Sequence, residues 1–320
     1  MNVEWWRTVN SVDVEQHTKE LSHFQWHYDQ LSEGSFSARL AELAMPRVRV
    51  FRERLECSTQ QHGSMPPGCV GIALALQDSS PLWMNGLQLA SGRVAMSHDG
   101  EVDLCTAPNS ELGFIIADAS VVADTMEMTG VNSSISQGKT AVVRIAEAAE
   151  QALRQSLALV HSTLGVAPEA LNSADARRLA EDQFILELVD ALSAATSLPE
   201  ERNAMLRKRV VDRARELMLG HCDEPMSILD VCRRIGASRR KLNYCFQEVL
   251  GTTPIAYMRA MRLNGVRREL LNSGDNEQVY NVAVRWGFWH FSQFSLYYKR
   301  QFGELPSHTL QRGKLGDRRH

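Results

Sequence analysis

Between about residues 35 and 118 the apolar residues come in short runs, and turn-forming residues cut each run off. The runs "SFSARLAELA", "RVRVFRERL", "CVGIALAL", "LQLASGRVAM" and "ELGFIIA" are broken by "MP", "GSMPPG", "QDSSP", "SHDGE" and "APNS". Short strands with Gly, Pro, Asn and Asp between them predict a β-sandwich or barrel, although several runs lack strict alternation. From about 137 to 197 the period lengthens. "TAVVRIAEAAEQALRQSLALVHSTLG" places Val142, Ile145, Ala149, Leu153 and Leu157 at helical spacing, and "ADARRLAEDQFILELVDALSAA" does the same with Phe184, Leu188 and Leu192. Two long helices are expected, parted by "GVAPEALNS", either as a dimerisation element or as a cover for the β domain. "TSLPEE" at 196–201 reads as a hinge into the remainder.

Beyond that hinge the pattern repeats itself. "SILDVCRRIGASRRKLNYCFQEVLGTTP" (227–254) returns as "QVYNVAVRWGFWHFSQFSLYYKRQFGELP" (278–306). At an offset of 51, Ile228, Val231, Cys232, Ile235 and Gly236 meet Val279, Val282, Ala283, Trp286 and Gly287. At an offset of 52, Leu242, Phe246, Gly251 and Pro254 meet Phe294, Tyr298, Gly303 and Pro306. One residue has entered just after the glycine, where a turn tolerates it. Each copy reads as helix, tight turn, helix, with the glycine as a left-handed C-cap and Ser238 as an N-cap in the first copy. A helix-turn-helix projects its second helix into a DNA major groove. Between the copies, "IAYMRAMRLNGVRRELLNSG" is one amphipathic helix of about 30 Å. It suits a separation of about 34 Å between two recognition helices. Met258, Met261, Leu263, Val266 and Leu270 are its packing side, Arg259, Arg262, Arg267 and Arg268 its polar side, and Gly265 a point of close packing.

The repeat also interprets the dense aromatic run at 285–306. Trp286, Phe294 and Tyr298 fall on apolar core positions of the first copy and Phe302 falls against Leu250, so these rings are expected in a core rather than on a base-stacking platform. Trp289 and Phe291, near the start of the second recognition helix, are the exceptions.

Charge sharpens this division. Residues 1–203 carry 14 Lys and Arg against 27 Asp and Glu, a net of −13; residues 204–320 carry 21 against 11, a net of +10; together they give −3. A basic third on an acidic remainder suggests a polyanionic partner. The six cysteines include no C-x-x-C pair, which argues for reduced thiols in a cytoplasm rather than a disulfide frame or zinc site. The start has no secretion pattern and no apolar run is long enough to span a membrane, so cytoplasmic localisation is expected. His23 and His27, at i and i+4, could share a helix face but lack a third ligand nearby, and neither a metal nor a cofactor is expected.

The segment from about 204 to 314 resembles the DNA-binding domain of AraC/XylS-family transcriptional regulators. "ILDVCRRIGASRRKLNYCFQEVLGTTPIAYMRAMRLNGVRREL" and "VAVRWGFWHFSQFSLYYKRQFGELPSHTL" carry the likeness, with the second unit ending in the F/Y-x-x-x-F-G-x-x-P-S hallmark. "GFWHFSQFSLYYKRQFGELPSHTL", and more faintly "FQWHYDQLSEGSFSARLAEL", is similar to the branch that includes ethanolamine-utilisation regulators. The resemblance implies an α+β chain. A β-rich, cupin-like sensor domain would occupy 1–136 and a helical linker or dimerisation element 137–203. An all-α DNA-binding domain would fill 204–314, with its helix-turn-helix units at 227–251 and 278–303, and a tail would follow at 315–320.

It further implies that the first recognition helix presents Arg239, Arg240, Lys241, Asn243 and Tyr244, and the second His290, Phe291, Ser292, Gln293 and Ser295. Arg262 on the connecting helix joins the DNA-binding set. Independently of the resemblance, Arg forks onto guanine and Asn pairs bidentately with adenine, which favours Arg240 and Asn243 as base readers, while Lys241 or Arg239 could hold phosphate alone. Leu296 stands where the family often has Arg, so the first unit is expected to dominate specificity. The implied partners are double-stranded DNA at a bipartite major-groove site, RNA polymerase, a small-molecule effector and a second copy of the chain, and the implied role is activation without catalysis. The alternative is a DNA-repair methyltransferase fused to such a domain. It would require an activated Cys beside His, and Cys57, Cys69 and Cys105 lack such neighbours in sequence.

Overall fold

The computed structural model describes residues 5–21, 24, 26–131, 138–193, 195–199, 201–220, 226–274 and 276–317. The chain opens with β1 (Trp6–Ser11), α1 (Val14–Glu20), β2 (His27–Gln30), β3 (Ala38–Ala44), β4 (Val48–Leu55), β5 (Thr59–Ser64) and β6 (Cys69–Ala75). It continues through β7 (Leu82–Met84), β8 (Leu87–Leu89), β9 (Arg93–His98), β10 (Glu101–Thr106), β11 (Ser110–Asp118), α2 (Ala119–Thr129) and β12 (Lys139–Arg144). Then come α3 (Glu147–Val166), α4 (Ala174–Ser193) and β13 (Thr196–Ser197). The helical part comprises α5 (Glu201–Gly220), α6 (Ile228–Ile235), α7 (Arg239–Leu250), α8 (Pro254–Leu271), α9 (Val279–Arg285), α10 (Phe291–Phe302) and α11 (Pro306–Asp317). An N-terminal β-rich part and a C-terminal all-helical part are thus joined in one α+β chain.

Among the described residues thirteen strands form two sheets, ordered β1-β3-β4-β11-β6-β9-β12-β13 and β2-β5-β10-β7-β8. Alternation along β11 explains the larger sheet. Phe114 and Ile116 enter the core between the sheets, with Trp26, Tyr28, Leu82 and Leu104. Ile115 and Ala117 face the other way, against Leu153, Leu157, Phe184 and Leu188 of α3 and α4. A sheet covered on both faces needs apolar residues at every position, which is why these runs do not alternate.

Two local readings are corrected. Helical character was expected from residue 137, but β12 comes first, pairing with β9 from Lys139↔His98 to Arg144↔Arg93. Val142 and Val143 are β-branched and fit a buried strand as well as a helix. His27 lies on strand β2 rather than on a helix; His23 and Cys222 lie outside the described residues. Within the hinge, Thr196–Ser197 form a short edge strand on β12. The helical pair α3–α4 covers the sheet, yet it leaves Leu159, Val166, Leu179 and Leu186 exposed.

The smaller sheet turns its outer side to the helical part. Trp83 and Cys105 pack with Val211, Phe246, Val249 and Leu250, so the core of the first helix-turn-helix runs into the β domain. The second unit has its own core of Leu263, Val266, Val282, Phe294, Tyr298 and Phe302. Gly265 is the close-packing point expected of it: a Cβ there would run into the Trp286 indole.

Candidate nucleic-acid interface

The first unit is built from its caps. Ser227 Oγ accepts the Asp230 N–H at 3.2 Å while the Asp230 carboxylate accepts the Ser227 N–H at 3.2 Å, closing a reciprocal box at the start of α6. Gly236 ends α6 at φ 68°, a left-handed value that glycine adopts without a Cβ clash. Ser238 Oγ then accepts the Lys241 N–H at 3.1 Å and starts α7. Leu242, Phe246 and Val249 turn inward, which places Arg239, Arg240, Lys241, Asn243 and Tyr244 outward, all exposed. Among the described residues, the side chains of Arg239, Arg240 and Asn243 make no hydrogen bond or ion pair within the protein. Forked cations and a carboxamide with no internal partner can meet phosphate and base edges.

The second unit keeps the geometry with different chemistry. α10 follows His290, whose side chain makes no capping hydrogen bond. Phe294, Tyr298 and Phe302 are buried, as the repeat register predicts, while Trp289 is 58% and Phe291 43% exposed. Phe291 also touches the core, its ring 5.8 Å from Phe294 and 6.2 Å from Tyr280. His290, Ser292, Gln293 and Leu296 are exposed and Ser295 is half-buried. Gln293 Nε2 donates to Tyr297 Oη at 2.8 Å, and the Arg259 guanidinium sits 4.5 Å from the Tyr297 ring centre. This surface offers apolar contact and few free donors.

On the connecting helix the structure corrects the sequence reading. Arg262, expected in the DNA-binding set, is only 8% exposed. Arg267 is buried too, ion-paired with Asp13 and, at 2.8 Å, with Glu304. Arg268 reaches Asp29 at 2.5 Å. Asp13 and Asp29 of the N-terminal part thus cover two of the four arginines on the polar side of α8. Sequence reasoning missed this because the partners lie more than two hundred residues away.

The thiols bear on the enzymatic alternative. Burial pushes Cys57, Cys69 and Cys105 up from the ordinary thiol value, Cys105 furthest. Cys57 Sγ donates to the Ser35 carbonyl at 3.5 Å and Cys105 Sγ to the Leu250 carbonyl at 3.2 Å. A methyl acceptor needs a thiolate, and these surroundings favour the thiol.

Residues 231–312 match the description of a helix-turn-helix domain family. The probable thc operon regulatory protein of Rhodococcus erythropolis is 36% identical over 103 residues, covering 32% of this chain and 31% of that protein. Regulatory protein HrpB of Ralstonia nicotianae is 36% identical over 84 residues, 26% of this chain and 18% of its own. XylDLEGF operon transcriptional activator 1 of Pseudomonas putida is 39% identical over 79 residues, 24% of each chain. The chain thus spans less than a third of the length of these relatives. Among solved structures, the AraC-like transcriptional activator CuxR aligns over 82% of this chain and 96% of its own, at 13% identity and a TM-score of 0.44. By its paired units and the residues it matches, the C-terminal part of this chain is a helix-turn-helix domain, similar to parts of the operon regulators of Rhodococcus erythropolis and Pseudomonas putida.

Proposed function

We propose that the chain is a sequence-specific transcription regulator that reads a two-part DNA site through α7 and α10. The observation that carries this reading is the exposed face of α7. Arg239, Arg240 and Asn243 stand there without internal partners, whereas Arg267, Arg268 and Arg215 are held by carboxylates. Arg240 and Asn243 read bases; Arg239 and Lys241 position the helix on phosphate. Phe291 and Leu296 give α10 contacts to thymine methyl groups and backbone rather than hydrogen-bonded readout.

The regulator works as an activator with RNA polymerase as its downstream partner, and its N-terminal part responds to a small-molecule effector. Leu159 and Val166 on α3, and Leu179 and Leu186 on α4, are exposed pairs two helical turns apart. They support a second copy of the chain as the partner of that face. The direct test is affinity of the full chain for mixed-sequence duplex across a salt series. Affinity that falls steeply and linearly in log–log form supports groove-facing cations. No binding at low salt would overturn the reading.

A further inference from the structure

The repeat equates Gly251 with Gly303, the residues that end the two recognition helices. Both of those ends rest on the N-terminal part. At α7, the Cys105 thiol donates to the Leu250 carbonyl at 3.2 Å, and a Cβ on Gly251 would lie 2.7 Å from Trp83 Cη2. At α10, the Gly34 N–H donates to the Arg300 carbonyl at 2.9 Å, and a Cβ on Gly303 would collide with the Ser35 hydroxyl. The opposite ends, where Arg239, Arg240, Ser292 and Gln293 lie, are exposed.

Between these grips lies a buried amide cluster. Asn264, fully buried on α8, reads the backbone of Gln30 at the end of β2. Its Oδ1 accepts the Gln30 N–H at 3.0 Å, and its Nδ2 donates to the Gln30 carbonyl at 2.8 Å. β2 is an edge strand of the smaller sheet, so the carboxamide completes hydrogen bonds that a neighbouring strand would otherwise make. Gln301, at the end of α10, donates from Nε2 to the same carbonyl at 2.8 Å, and Gln30 Nε2 donates back to the Gln301 carbonyl at 2.6 Å. Asn264 also marks a junction in α8: Met261 belongs to the core of the first unit, while Leu263 and Val266 belong to that of the second. The strand therefore grips the connecting helix where two separate cores meet.

We propose that β2 and the loop after it fix the distance and angle between α7 and α10, so that the N-terminal part determines operator spacing, with Gln30, Asn264 and Gln301 as positioning residues. The proposal rests on the DNA-binding reading and goes beyond it. Moving one half-site by one base pair shifts it about 3.4 Å and turns it about 35° around the duplex. Two units joined by a helix alone follow such a change by bending; two units clamped at three points on the smaller sheet and the loop after β2 do not.

The test uses the full chain and a duplex panel in which the two halves of its preferred site are moved together or apart by one and two base pairs. Wild type should bind one spacing and lose affinity at the others. Asn264→Leu and the milder Gln301→Met should lose that discrimination while keeping the base preferences within each half. Variants that keep the wild-type spacing profile would overturn the clamp. If wild type prefers no DNA sequence at all, the regulator reading fails on its own account, and a second measurement judges the clamp. Spin labels carried by unnatural amino acids at the exposed positions Glu248 and Lys299 report the separation of α7 and α10. One narrow distance in wild type and a broad distribution in Gln301→Met supports the clamp; the same narrow distance in both refutes it.

Discussion

Arg215 Nη1 lies 2.9 Å from Asp103 Oδ2, joining the first helix of the helical part to strand β10. Lys208 Nζ reaches the same oxygen at 2.8 Å, and Gln60 donates to the other. Arg268 with Asp29 and Arg267 with Asp13 repeat the arrangement on α8. The acidic and basic halves of the sequence are therefore partly complementary to each other, and not all of the basic excess is available to DNA.

Removing Asp103 tests that complementarity. Asp103→Ala leaves Arg215 and Lys208 sharing the more exposed Asp212, 3.7 and 2.9 Å away, and breaking the buried side of such a cluster costs about 3 kcal/mol. Urea unfolding of the full chain should show the loss as a lower midpoint. An unchanged midpoint would mean the contact contributes nothing to the fold.

The same contacts set an acid limit. Burial alone would raise Asp103, Asp29 and Asp13, but Arg215 with Lys208, His27 with Arg268, and Arg267 with Arg312 hold them below the usual aspartate value. A carboxylate lowered by folding stabilises the native state above its unfolded pKa of about 4, and that contribution disappears as pH falls through the lower folded value. Glu15 works the other way, because burial raises it and its charged form is the disfavoured one. With these three groups and Glu304 lowered and Glu15 raised, the urea midpoint should fall on acidification from pH 5 to 3; a rise would contradict the assignment.

On the DNA side, Arg240→Ala should weaken binding by about 1–3 kcal/mol and relax preference at one base position. Ser238→Ala removes the oxygen that accepts the Lys241 N–H and should cost about 1 kcal/mol of stability. Competition binding with single-base operator variants separates the two effects, since only the first changes the pattern of preference. If Arg240→Ala leaves both affinity and site choice intact, α7 meets DNA in another register.

Leu296→Arg probes the second unit. Leu296 is 55% exposed on α10, so an arginine there faces the same surface. It should tighten binding and steepen the salt slope by about one. A slope that does not change would place that part of α10 away from the phosphate backbone.

Gly265→Ala addresses the joint between α8 and the second unit. The Trp286 ring lies against Gly265, and its Nε1 donates to Glu269 at 2.7 Å, which limits how far the indole can move. Overpacking of this kind costs about 1–3 kcal/mol, although alanine is the better helix former. A thermal midpoint at or above wild type would show that the indole yields freely.

The helix-turn-helix pair was legible because its signals are local. Gly236, Ser238, Gly251 and Pro254 punctuate the chain at fixed offsets, and Leu242 and Phe246 repeat as Phe294 and Tyr298. The β-rich half was legible in kind but not in detail. A sheet buried on both faces loses its alternation, and Val142 and Val143 suit strand and helix alike. The fate of Arg262, Arg267 and Arg268 was not legible, since an amphipathic helix shows which residues are polar but not whether water or another domain meets them. Gln30 and Asn264 carried no signal at all, because a neutral amide gains its meaning from the backbone it meets.

Selection of the full chain against a random duplex library asks whether α7 and α10 read DNA as a fixed pair. A two-part motif should be enriched, with its halves about one helical turn apart and the stronger preference in the half assigned to α7. Enrichment of no motif, with or without cell extract to supply the effector, would contradict that reading.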